Sequence, residues 1–158
     1  YIHYNPKGRK EWDGYKEHIF TAVQIAQTLN LIGDRWSILI LHRLLMGSGT
    51  YTELQESLEG IPSNLLSQRL KSLESDGLLE SKLYQEHPPR YRYMLTGKGS
   101  ELNDVFIAIS MWGEKHLTAC FNQLVHEACG NGIEHQYVCT HCGKTVSPDQ
   151  LVVHHRKK

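Results

Sequence analysis

The stretch GIPSNLLSQRLKSLESDGLL, from Gly60 to Leu79, constrains the fold more than any other part of the chain. At about 3.6 residues per turn, Leu66, Leu70 and Leu73 recur on one side of a helix with Leu65 beside them. Pro62 precedes the run, Ser63 is placed to cap it and Gly77 to end it. The spacing therefore predicts a short, sharply bounded helix whose leucine face packs inward. The opposite face carries Asn64, Ser67, Gln68, Lys71 and Ser75. These are hydroxyls, amides and one lysine, where a simply solvated helix more often shows Glu and Lys four apart. Taken alone, the row fits a solvated face or a face that reads a partner.

Its flanks narrow the choice. Upstream, HIFTAVQIAQTL predicts a helix from His18 to Asn30, with Phe20, Val23 and Leu29 at helical spacing. A second helix is expected from Arg35 to Met46 after the Ile32-Gly33-Asp34 break. Thr50 or Thr52 then caps a third, from Glu53 to Leu58, and the Gly60-Ile61-Pro62 elbow leads into the leucine-striped helix. Two helices at an angle across a tight turn make a helix-turn-helix. Downstream the period changes: LLESKLYQE and RYRYMLT read as strands around His87-Pro88-Pro89, where two prolines exclude a helix. Arg90 and Arg92 alternate with Tyr91 and Tyr93, so both guanidinium groups share a face.

The expected fold class is thus mainly α with a small β-hairpin wing, a winged helix-turn-helix. Leu102, Val105, Phe106, Ile109, Trp112, Leu117, Phe121 and Leu124 then suggest one long helix from Lys98 to about Val125, whose stripe needs a partner. In such folds the second helix of the helix-turn-helix enters the DNA major groove, where small polar groups approach base edges. Ser63, Asn64, Ser67, Gln68 and Lys71 are the candidate groove residues, on a recognition helix spanning 63–76. Arg90 and Arg92, on a wing at 84–93, are candidates for phosphate or an adjacent minor groove, although arginines on a hairpin also block edge-to-edge pairing. Arg69 falls on the apolar edge and is expected to form an internal salt bridge.

The 158 residues suffice for one domain and a small appendage. With 17 basic and 17 acidic residues, bulk charge draws the chain to neither nucleic acid nor membrane, so an anion-binding surface must be local. The most apolar run, Trp36 to Met46, is too short to span a bilayer and contains His42 and Arg43. No signal-peptide pattern opens the sequence at Tyr1, and a cytoplasmic location is expected. The reading divides the chain into an arm (1–17), a winged-helix and dimerisation domain (18–125) and a C-terminal module (126–158).

The segments LIGDRWSILILHRLL, YTELQESLEGIPSNLLSQRLKSLESDGLL, HPPRYRYMLTGKG and MWGEKH, between Leu29 and His116, resemble the HxlR-type winged-helix transcriptional regulators, a group similar to the MarR regulators. The resemblance implies a homodimer, joined through its first and last helices, on a pseudo-palindromic double-stranded operator. It also raises a small-molecule effector near the dimer interface, although the apolar residues of those helices are equally what a plain core needs. Two departures stand out. Where the family usually has a proline and paired arginines, this chain has SGTY from Ser48 to Tyr51, which removes phosphate contacts and shifts weight to the wing and to dimerisation. The helix before Gly33 lacks the cysteine that some members use as a thiol sensor, with Val23 near the matching place.

All four cysteines lie in the last third: Cys120, Cys129, Cys139 and Cys142. His126-x2-Cys129-Gly130 and Cys139-x2-Cys142-Gly143 repeat one small pattern. Two such knuckles offer a closed Cys3His set for one structural Zn2+, the glycines permitting the turns that aim backbone amides at sulfur. Cys120, His135, His141 and His154 are alternatives to His126 as the non-repeated ligand. A redox dithiol at Cys139 and Cys142 would instead sit at a helix start in a βαβ setting, which the strand-like HQYV before it does not provide. No catalytic motif accompanies these residues, and no enzyme activity is expected. The competing function is a protein-interaction adaptor built from the same two modules.

Overall fold

The computed structural model describes residues 14–47, 49–118 and 123–152. The described residues up to Asn30 and from His135 onward belong to one compact unit, and Leu31–Glu134 to another.

Helix α1 (Gly14–Ile32) begins inside the segment read as an arm and ends two residues beyond Asn30. Tyr15, Lys16 and Glu17 contain no breaker, and Gly33 is the first residue downstream that is one. Residues 1–13 lie outside the described part. From His135 on, β3 (Tyr137–Val138) pairs antiparallel with β4 (Thr145–Val146), followed by a 3-10 turn at Pro148–Gln150.

The larger unit is built on the leucine stripe. Helix α2 (Arg35–Leu45) starts at Asp34, whose Oδ1 accepts the backbone N–H groups of Trp36 and Ser37 at 3.1 Å each. Helix α3 (Tyr51–Ser57) opens with a capping box: Thr50 accepts from the Glu53 backbone N–H while Glu53 accepts from that of Thr50. Helix α4 (Ser63–Ser75) follows the elbow. Pro62, not Ser63, is its N-cap and makes no side-chain cap bond. The fixed extended backbone of Pro62 is the last non-helical position, which leaves Ser63 as the first helical residue with an exposed side chain. Gly77, at φ 69°, closes α4: the Leu78 N–H reaches Leu73 O and the Gly77 N–H reaches Glu74 O.

Leu66, Leu70 and Leu73 are at most 1% exposed and pack with Ile40 and Leu41 of α2, Leu54 of α3, and Leu58, Ile61, Leu78 and Leu79. Each fully buried leucine contributes roughly 1.5–3 kcal/mol relative to exposure. Strands β1 (Leu79–Gln85) and β2 (Arg90–Leu95) form the antiparallel hairpin, with Leu79 opposite Leu95 and Leu83 opposite Tyr91, and an irregularity at Leu83/Gln85. The Tyr93 N–H donates to Gly49 O at 2.6 Å and Thr50 bridges Arg92, so the turn before α3 lies along β2 as a third extended segment.

A one-turn α5 (Gly97–Ser100) precedes α6 (Asn103–His116), which buries Phe106. The expected single helix from Lys98 to Val125 is therefore two helices, the second ending at His116. Lys115 and His116 occupy its last turn, where positive charge complements the helix dipole, and Leu117 is extended. Phe121 and Cys120 lie outside the described residues. Among the described helices, none is long and apolar enough to cross a membrane.

Candidate nucleic-acid interface

Every residue of the polar row is exposed: Ser63, Asn64, Ser67, Gln68 and Lys71 along α4, and Ser75 at its end. The N-terminal half of α4 is fixed by α3. Gln55 Nε2 donates to Ile61 O at 2.7 Å, which holds the turn between the helices. Tyr51 Oη donates to Ser63 O at 2.8 Å, and Ser67 Oγ donates back to Tyr51 Oη over a longer 3.4 Å. Arg69 points away from the row, with Nε 3.4 Å from Asp34 Oδ1. The contact is an ion pair without hydrogen-bond geometry, since Nε is buried with no hydrogen-bond partner.

The wing is tied at both ends. At the α4 side, Glu74 Oε1 accepts from the Ser81 N–H at 2.9 Å and the Ser81 hydroxyl at 2.6 Å. At the α3 side, a Cβ on Gly49 would stand 3.2 Å from Arg92 Cγ and 3.3 Å from Tyr93 O, so a side chain there would push these neighbours aside by a few tenths of an ångström. The Arg92 guanidinium lies 5.8 Å from the centre of the Tyr84 ring. Glu53 Oε2 accepts the N–H groups of Gly49 and Thr50 at 2.8 Å each. Those backbone bonds, with the Thr50 hydroxyl and the Arg92 charge behind them, lower the Glu53 carboxyl below its usual pKa. Burial, followed by the nearby Glu74 carboxylate, raises the Tyr93 phenol.

Two open grooves flank the wing. One, of about 450 Å3, is lined by Ser67, Lys71, Glu74, Ser81, Tyr91 and Tyr93 and runs between α4 and the hairpin. The other, of about 370 Å3, is lined by Tyr51, Thr52, Tyr84, Pro89, Arg90 and Tyr93 among others. The structure thus brings Ser67 and Lys71 together with the wing tyrosines, and Arg90 together with the start of α3. Ser63, Asn64 and Gln68 stand on the exposed face outside both linings.

Sequence reasoning missed three contributors. Tyr51 joins α3 to α4, and Thr52 enters the second groove. The capping-box signature Thr50-x2-Glu53 would have placed both in the first turn of a helix facing the wing. Lys82 is the third: it lies opposite Arg92 in the hairpin register, so two cations share one face with Arg90 near the tip. The irregularity at Leu83/Gln85 hides that pairing from a count along the sequence.

The candidate metal residues form two separate knuckles. In the larger unit, His126 Nδ1 is 3.3 Å from Cys129 Sγ, the His126 N–H donates to Asn131 O, and the Gly130 N–H donates to His126 O. In the smaller unit, the Cys139 N–H donates to Lys144 O and the Gly143 N–H to Cys139 O. Hydrogen bonds from the Asn131 side chain and backbone lower the Cys129 thiol, and backbone N–H groups of Cys142 and His141 lower that of Cys139. Cys129, Cys139 and Cys142 are all free thiols. No three His, Cys, Asp or Glu residues among the described ones gather closely enough to hold a metal. Cys120 and His154 lie outside the described residues.

Comparison with known proteins identifies the family. A family profile described as HxlR-like helix-turn-helix matches residues 31–121. An uncharacterized HTH-type transcriptional regulator of Mycobacterium tuberculosis strain H37Rv is 32% identical over 133 residues, covering 82% of this chain and 84% of that one. A solved Pseudomonas aeruginosa chain described as a candidate transcription factor (PA1374) superposes with a TM-score of 0.66 at 34% identity, covering 84% of this chain and 91% of that one. The reduced form of the transcriptional regulator YodB from Bacillus subtilis superposes at 0.53 with 32% identity, over 60% of this chain and 93% of its own. With an exposed polar recognition helix, a basic wing and a family match over most of the larger unit, the chain belongs to the HxlR-like helix-turn-helix family of DNA-binding transcriptional regulators.

Proposed function

We propose that the protein is a cytoplasmic, non-enzymatic regulator that binds a pseudo-palindromic operator as a homodimer. Ser63, Asn64, Ser67, Gln68 and Lys71 face base edges in the major groove, while Arg90 and Arg92, with Lys82 beside them, lie against phosphate or the adjacent minor groove. The observation that carries this reading is the full exposure of the polar row on a helix whose other face is fully buried. Apart from the 3.4 Å contact of Ser67 Oγ with Tyr51 Oη, the side chains of that row have no hydrogen-bond partner among the described residues.

Dimerisation is supported by apolar side chains left in solvent. Val105, Ile109 and Trp112 on α6 are 40%, 52% and 60% exposed, and Val23, Ile25 and Leu29 on α1 are exposed as well. Contiguous apolar stripes of that kind mark association surfaces. An apolar effector would act by changing the spacing of the two recognition helices in the dimer.

The test is a fluorescence-anisotropy titration at two salt concentrations against tiled DNA from upstream of the gene and a scrambled duplex. One tile should bind about a thousandfold or more tighter than the rest, with steep salt dependence. Equal, weak binding to every tile, with no operator found by selection from random duplexes, would refute the reading and favour the adaptor.

A further inference from the structure

The polar row of α4 is not uniform in what it can offer a base. Asn64 and Gln68 end in amides, which donate through nitrogen and accept through oxygen, whereas Lys71 only donates. A serine hydroxyl carries a hydrogen and lone pairs, so it ordinarily does either. Ser67 differs, because the fold itself takes up its hydrogen.

The constraint comes from Tyr51. A phenol has a single hydrogen, and that of Tyr51 goes to Ser63 O, 2.8 Å away. A carbonyl oxygen can only accept, so the direction of that bond is fixed. At its second contact, 3.4 Å from Ser67 Oγ, Tyr51 Oη has only a lone pair to offer, and Ser67 is the donor. The phenol is held in place from behind: its ring packs against the core, and the capping box of Thr50 and Glu53 fixes the backbone that carries it. Ser67 is nevertheless exposed, and what it presents to a partner is its lone pairs.

We infer, on the DNA reading above, that Ser67 accepts a hydrogen bond from an exocyclic amino group, N6 of adenine or N4 of cytosine, and that Tyr51 is the positioning residue that sets this polarity. Each base pair shows the major groove one amino group, on adenine or cytosine, beside one keto oxygen, on thymine or guanine. A freely rotating hydroxyl accepts from the first or donates to the second. With its hydrogen given to Tyr51, Ser67 matches the amino group, and phosphate oxygens, which only accept, are a poor match for it. Lys71, four residues on and on the same face, has the opposite polarity and suits guanine O6 and N7. The effect is that of one neutral hydrogen bond, about threefold to tenfold in affinity per half-site.

The test starts from a duplex selected out of a random library by the full wild-type chain, with fluorescence anisotropy as the readout. Ser67→Ala locates the base pair whose identity Ser67 senses. At that pair the amino group is deleted by exchanging adenine for purine or cytosine for pyrimidin-2-one. Separately, the keto oxygen is deleted by exchanging guanine for 2-aminopurine or thymine for 5-methylpyrimidin-2-one. Deleting the amino group should weaken wild-type binding about threefold to tenfold per half-site and Ser67→Ala binding less than about twofold, while deleting the keto oxygen should affect both proteins alike. Tyr51→Phe keeps the ring and frees the Ser67 hydrogen, so its loss on amino deletion should shrink to under about twofold, with urea unfolding near wild type. A Ser67-dependent loss at the keto oxygen, or full dependence on the amino group in Tyr51→Phe, would overturn the assignment while the DNA reading stands. So would a Ser67→Ala protein with every base preference unchanged. Selection that returns no preferred duplex overturns the DNA reading and this assignment with it.

Discussion

Replacing Arg90 by alanine separates the two kinds of DNA contact proposed for the wing and the recognition helix. Arg90 opens β2 opposite Gln85 and is exposed, and among the described residues it enters no ion pair, so its removal should leave the fold intact. Arg92 would be a poorer probe, because it packs against Gly49 and Tyr84. Each phosphate neutralised contributes about 0.9 to the slope of log K against log salt, so two wings of a dimer contribute about 1.8. Between about 50 and 200 mM salt, a fourfold change, the wild type should then lose about twelvefold more affinity than the variant. The loss should be the same on operator and scrambled duplex. Gln68→Ala should behave in the opposite way: an unchanged salt slope, with about 1–3 kcal/mol less discrimination at one base position per half-site. Anisotropy titrations of both variants at four salt concentrations measure both quantities. A wild-type slope for Arg90→Ala would remove the wing from phosphate, and an equal loss on both duplexes for Gln68→Ala would remove α4 from the bases.

Three further outcomes follow from the fold. Leu66→Ala, at a fully buried position of the stripe, should destabilise by about 3 kcal/mol in urea unfolding, and a cost under about 1 kcal/mol would mean the α2–α4 core is loosely packed. Gly49→Ala should cost about 1–2 kcal/mol and weaken DNA binding, because its Cβ forces Arg92 and the Tyr93 carbonyl aside; unchanged affinity would show that the wing does not depend on this contact. Glu53 has a lowered folded-state pKa, so its contribution is present above the unfolded value near 4.5 and lost as pH falls through the folded one. Glu53→Gln should therefore flatten acid unfolding in that window and leave the pH dependence above 6 unchanged, as followed by circular dichroism.

The elements that sequence made legible are those specified by contacts within a few residues. The leucine spacing of α4, its closure by Gly77, the break at Gly33-Asp34 and the prolines of the hairpin turn are all local signals. Arg69 was legible too, because its place on the apolar edge directed it inward to Asp34. What escaped depends on distant pairing. The tie from Tyr93 to Gly49 joins residues far apart in sequence, and the pairing of Lys82 with Arg92 needs the strand register, which the irregularity at Leu83/Gln85 obscures. The end of α6 escaped for another reason: apolar residues recur at helical spacing past His116, and periodicity alone gives no stop there.

The long-range ties also bear on how the interface works. Tyr51 and Gln55 fix the start of α4 against α3, Glu74 fixes its end against β1, and Gly49 fixes β2 against the turn before α3. Recognition helix and wing are therefore held as one rigid body by hydrogen bonds at each corner, and little ordering cost is left for the moment of binding. A body already arranged for DNA cannot be switched by small movements within itself without breaking several of these bonds together. What remains adjustable in a dimer is the separation of two such bodies, which half-site spacing reads directly. In the proposed dimer, the exposed apolar residues of α6 are candidates for setting that separation. On the proposed reading, a turn at Ser48–Tyr51 without a basic side chain adds no phosphate contact, so binding would depend more strongly on both half-sites being engaged at once.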